Sequence, residues 1–85
     1  MISTAVTVAT TATVIVAADN QNRRVYVHNS GGAKIYLGGS TVTTSNGYHL
    51  GNDENIDIFV PLNEALYAVV ASGTNVVIVL TPNLD

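Results

Sequence analysis

Two histidines, three cations, six carboxylates and four tyrosines are the side chains with which this 85-residue chain could do proton, ion or stacking chemistry. His28 and His49 alone have an ordinary titration near neutrality, the property that suits a general acid or base. They stand 21 residues apart, and no carboxylate or hydroxyl is spaced around either as a catalytic constellation requires. His28 falls on the Tyr26 side of an alternating stretch, opposite Val25 and Val27, where an exposed or interface imidazole is expected.

Asp53, Glu54 and Asp57 form the one acidic cluster, and carboxylate oxygens on a loop could hold a hard cation such as Ca²⁺. The run Asn52-Asp53-Glu54-Asn55-Ile56-Asp57 supplies neither the central glycine nor the distal glutamate of a helix-loop-helix calcium site, so no metal is expected. Arg23 and Arg24 are adjacent and point to opposite faces of an extended chain, so they cannot converge on one phosphate. A salt bridge across a subunit boundary is their expected use. Gly31-Gly32, Gly38-Gly39 and Gly47 precede no helix, which excludes a phosphate-cradling loop and leaves them as turn residues. Tyr26, Tyr36, Tyr48 and Tyr67 offer broad apolar area with a polar tip, a combination enriched at protein interfaces; ligand stacking is the alternative. No catalytic residue, metal or cofactor is therefore assigned.

Composition narrows the partners. Val, Thr and Ile fill 29 of 85 positions, which favours extended backbone over helix. A net charge of -3 offers no electrostatic footprint for nucleic acid or anionic lipid. The longest apolar run, residues 65–71, is far short of a membrane-spanning helix. The first residues lack the basic start and continuous apolar core of a secretory signal, so an unprocessed product is expected. A chain this short buries a modest core, and with no cysteine it has no disulfide to help; association with other chains is the remaining stabiliser. A surface so poor in charge also leaves strand edges sticky.

The elements that must position these residues read as strands. Even positions from Thr4 to Val16 put the larger aliphatics on one face, as one long bent strand or as two broken near Thr10-Thr11. After the polar break 18–22, residues 23–29 alternate with Val25 and Val27 together, and Ser30-Gly31-Gly32 leads to Ile35 and Leu37, giving an expected hairpin. Residues 38–55 carry four of the seven glycines and read as loop, with a short strand near 41–43 and a type I′ turn at Asn46-Gly47. Ile56, Ile58 and Val60 alternate with Asp57 and Phe59 until Pro61 stops the strand. Residues 65–80 form the strongest expected hairpin, apolar on both faces and turning at 72–75. Such doubling suggests burial against a second layer or a neighbouring subunit, which adds Val69, Val77 and Val79 to Arg23, Arg24, Tyr26, Tyr36, Tyr48 and Tyr67 as candidate interface residues. Only Pro82-Asn83-Leu84-Asp85 has the composition of a tail. The expected fold is all-β, over residues 1–85 as a single domain: a small antiparallel β-sandwich or jelly-roll-like barrel of six to eight short strands.

Three stretches carry a resemblance: Asn22-Arg23-Arg24-Val25-Tyr26-Val27-His28-Asn29, Val42-Thr43-Thr44-Ser45-Asn46-Gly47-Tyr48-His49-Leu50, and Ala65-Leu66-Tyr67-Ala68-Val69-Val70-Ala71-Ser72-Gly73-Thr74. Together the chain resembles the small β-rich virion proteins of tailed bacteriophages. The resemblance implies a capsid decoration or cement protein, made in the bacterial host cytoplasm, which sits on the outer head surface as a homotrimer. It would bind the major capsid protein there and clamp the lattice. The resemblance also covers structural or receptor-binding modules of tails, fibres and baseplates, in which the tyrosines and residues 38–55 would form a shallow receptor or glycan site. A small enzyme using His28 or His49 is the reading from a different class.

Overall fold

The computed structural model describes residues 1–82, so the expected tail lies, apart from Pro82, outside the described residues. Eight strands run in chain order: β1 (Ile2–Val8), β2 (Thr13–Val16), β3 (Arg23–Asn29), β4 (Ile35–Gly38), β5 (Tyr48–Leu50), β6 (Asn55–Val60), β7 (Leu66–Val70) and β8 (Asn75–Thr81). Two four-stranded sheets face each other, ordered β1-β8-β3-β6 and β2-β7-β4-β5, and every pair of neighbours is antiparallel. The described residues include no helix. With strands alternating between layers in this order, the sandwich is an eight-stranded jelly roll.

Each sheet turns one face inward. Val8 from β1, Val25 and Val27 from β3, and Val77 and Val79 from β8 meet Ile15 and Val16 from β2, Ile35 and Leu37 from β4, and Ala68 and Val70 from β7. Fully burying each of the larger aliphatics contributes about 1.5–3 kcal/mol. The alternation of β3, β4 and β6 read from sequence holds: Val25, Val27, Ile35, Leu37 and Val60 are buried, and the strand β6 stops before Pro61.

Pairing differs from the sequence expectation. Strands β3 and β4 do not form a hairpin, and neither do β7 and β8; each pair splits between the sheets, and β4–β5 is the one sequential pair that shares a sheet. Alternation fixes which face a side chain takes but carries no information about the strand beside it. Residues 65–80 are apolar because β8 lies between β1 and β3 and β7 lies between β2 and β4, which makes both central strands.

The first stretch breaks in two. Ala9 N–H donates to Thr13 Oγ1 at 3.1 Å, Thr13 Oγ1 donates to the Thr11 carbonyl at 2.9 Å, and Val70 N–H donates to the Ala9 carbonyl at 3.1 Å. Beyond this corner the parity changes, so that Ile15 enters the core while Val14 is 46% exposed. A register irregularity between Val14 and Val16 then brings Val16 inside as well.

The strand expected near 41–43 is instead β5, and residues 39–47 coil over the outer face of the second sheet. Gly47 N–H donates to the Thr43 carbonyl at 2.9 Å, and Asn46 Oδ1 accepts from Thr43 N–H at 2.7 Å. Neither Asn46 nor Gly47 has positive φ, which excludes the type I′ turn. Gly47 is required for another reason: a Cβ there would stand 2.5 Å from Cβ of Tyr36.

At one end of the sandwich two buried asparagines bind the loops together. Asn29 Nδ2 donates to the carbonyls of Ala33 (2.8 Å) and Leu50 (3.0 Å), while its Oδ1 accepts from Gly31 N–H (3.1 Å) and Asn75 Nδ2 (2.8 Å). A side chain with four partners at a buried position fixes where β3, β5 and β8 meet.

Candidate assembly surface

With Val25 and Val27 inward, β3 must turn Arg24, Tyr26 and His28 to the outer face of the first sheet. The register then sets their neighbours. Tyr26 lies between Asp57 of β6 and Leu80 of β8, and Leu80 pairs in turn with Ser3 of β1. His28 lies between Asn55 and Ile78, and Ile78 pairs with Ala5. Phe59 sits opposite Arg24, and Val76 opposite Thr7. The result is a mixed face: Val76, Ile78 and Leu80 form an aliphatic strip along β8, flanked by Tyr26 and Phe59 and interspersed with Ser3, Thr7, Arg24, His28, Asn55 and Asp57, and in it Phe59 is 51%, Tyr26 47% and Val76 38% exposed.

Its charges cancel. Arg24 Nη1 stands 3.0 Å from Asp57 Oδ2, with both side chains more than half exposed. A pair so open to water adds little stability, yet it leaves this face with no unpaired ion to pay for when water is removed. Arg24 therefore makes its salt bridge within the chain, where the sequence suggested a partner subunit.

No family model matches the chain, and neither the curated proteins nor the solved structures give a match to it.

Four of the nine expected interface residues are corrected by the structure. Arg23, Val69, Val77 and Val79 are buried within the chain itself. Arg23 shares the inward parity of Val25, and its guanidinium donates to the carbonyls of Ala17 (2.6 Å), Pro61 (3.3 Å) and Glu64 (2.8 Å), pinning two loops at the start of β3. Val77 and Val79 belong to the inter-sheet core, and Val69 is covered on the outer face of the second sheet, where it borders a hollow together with Val42.

The tyrosines do not gather. Tyr26 is on the first sheet. Tyr36 and Tyr67 face outward from the second, where the Tyr36 and His49 rings meet edge to face with centroids 6.4 Å apart. Tyr48 is 65% exposed beside an apolar slit lined by Leu37, Ile56, Ile58 and Leu66, where the two sheets open at β5 and β6. His28 and His49 thus occupy opposite outer faces, separated by both layers, and cannot act on one substrate.

The acidic residues divide as well. Glu54 Oε1 accepts from Gly51 N–H and closes its own turn, Asp57 is held by Arg24, and the described residues contain no cluster of three potential metal ligands. Phe59, Val76, Ile78 and Leu80 were missed as surface residues. The signal for Phe59 was present, since it alternates with Ile58 and Val60 on the same side as Asp57.

Proposed function

We propose that this protein is a structural, non-enzymatic component of a virion, of the capsid decoration type. It docks on the major capsid protein through the outer face of the β1-β8-β3-β6 sheet and stabilises the lattice. One observation carries this reading: that face exposes the large apolar side chains Phe59, Tyr26 and Val76 around a neutralised ion pair. Covering such side chains is favourable in proportion to the apolar area removed from water, which a docked partner would do. The jelly-roll order is compatible with a virion part but does not decide function. The resemblance of the three sequence stretches to phage virion proteins supplies the particle.

Catalysis is disfavoured by the placement of the two histidines and nucleic-acid binding by the scarcity of cations. Purified protein is expected to co-sediment with expanded phage heads lacking it, and to leave DNA and lipid vesicles unbound. A stable monomer indifferent to heads overturns the reading. The tail, fibre or baseplate alternative rests on Tyr48 and its apolar slit, and binding to host cells or free glycans would favour it.

A further inference from the structure

We propose that two copies of the chain join edge to edge through β1, antiparallel about Ala5, so that their first sheets become one eight-stranded sheet. The proposal rests on the reading of the protein as an assembly part.

Of the four edge strands, three are blunted. Strand β5 has three residues, β2 has four and an irregular register, and β6 carries Asp57, begins just after Asp53 and Glu54 and is closed by Pro61. Short length, irregularity, charge and proline are the devices that keep sheet edges from pairing. Strand β1 has none of them. It runs seven residues, Ile2–Val8, with no charge, proline or glycine, and Ile2, Ser3, Thr4, Ala5 and Thr7 are all exposed. One side of β1 pairs with β8 along its whole length, and no described strand pairs with the other. Its second row of N–H and C=O groups is free to continue the ladder.

The occupant follows from the sequence of the strand itself. Antiparallel pairing about Ala5 sets Ile2 opposite Val8 and Thr4 opposite Val6 on the inner row. On the outer row it sets Ser3 opposite Thr7 and Ala5 opposite its own copy. Ile2 meets Val8, Ser3 meets Thr7, the β-branched Thr4 meets Val6 and Ala5 meets itself, without a like-charge contact. Ile2 is 47% exposed although its parity is inward, and a second β1 would cover it.

Four strands at ~4.8 Å spacing and about six residues at ~3.3 Å each give the outer face of one sheet a projected area of roughly 400 Å². The pair doubles it and keeps Phe59 and Tyr26 of both copies on one side. Identical antiparallel strands close at two, so the unit is a two-fold pair, where the resemblance implies a trimer.

The test uses Ala5→Lys and Ala5→Glu, each at an exposed position on the outer row. Wild-type protein is expected to have the mass of a dimer in sedimentation equilibrium. Each variant alone sets like charges opposite each other and is expected to associate at least about tenfold more weakly, a loss of about 1.4 kcal/mol. An equimolar mixture of the two restores a one-to-one dimer. A wild-type monomer or trimer, or a dimer that neither variant weakens, overturns the pairing. Phe59→Asp separates this proposal from the docking reading: it leaves the dimer intact if β1 makes the pair, and a monomeric Phe59→Asp protein overturns edge pairing. Head binding that survives Phe59→Asp overturns docking through the face and leaves the edge pairing standing.

Discussion

Side chains with the same chemical label have different work in this protein, and burial decides which. Arg23 and Arg24 are neighbours, yet one is 5% exposed and bonded to three carbonyls while the other makes an open ion pair. Arg24→Met is expected to change stability by less than ~1 kcal/mol. Arg23→Met strands three carbonyls at the start of β3 and is expected to cost about 3 kcal/mol or more, both read from urea unfolding midpoints. The asparagine node gives a sharper contrast. A methyl group at Gly31 would overlap the Asn75 carboxamide, whereas one at Gly32 meets nothing within 4 Å. Gly31→Ala is therefore expected to lower the thermal midpoint by several degrees, and Gly32→Ala to leave it nearly unchanged. That Arg23 and Arg24 face opposite ways was legible from the strand period. That the inward one ends on the carbonyls of Ala17, Pro61 and Glu64 was not, because those acceptors come from loops far along the chain.

For the elements, local pattern and partner choice separate cleanly. Three strands could be read closely from alternation because one face of each meets the core: Val25 and Val27, Ile35 and Leu37, and Ile56, Ile58 and Val60 all point as their spacing requires. The break near Thr10-Thr11 was open in the sequence and is decided by Thr13, whose hydroxyl closes the corner. The change of parity beyond it could not be read, since Val14, Ile15 and Val16 are equally apolar. Ile15→Ala is expected to destabilise by about 2–4 kcal/mol and Val14→Ala by well under 1, in the same unfolding assay. The two expected hairpins do not form because the turns at 30–32 and 72–75 suit a crossing between layers as well as a return within one. Strand order depends on contacts between distant segments, such as β1 with β8, that no local window contains.

The whole molecule is a thin sandwich whose two layers close one core between them and each turn an outer face to the surroundings. On the docking proposed for the first sheet, the Arg24–Asp57 pair of that face is already satisfied and the driving force is removal of apolar area from water. Binding to heads is therefore expected to change by less than about threefold between low and physiological salt, whereas phosphate contacts would weaken it by orders of magnitude. The most direct test compares wild-type protein with Phe59→Asp in co-sedimentation with expanded heads, alongside thermal unfolding of each. Phe59 is half exposed and outside the core, so the variant should keep its midpoint and lose at least about tenfold in head affinity. Undiminished binding by a folded Phe59→Asp protein would contradict the assignment of this face.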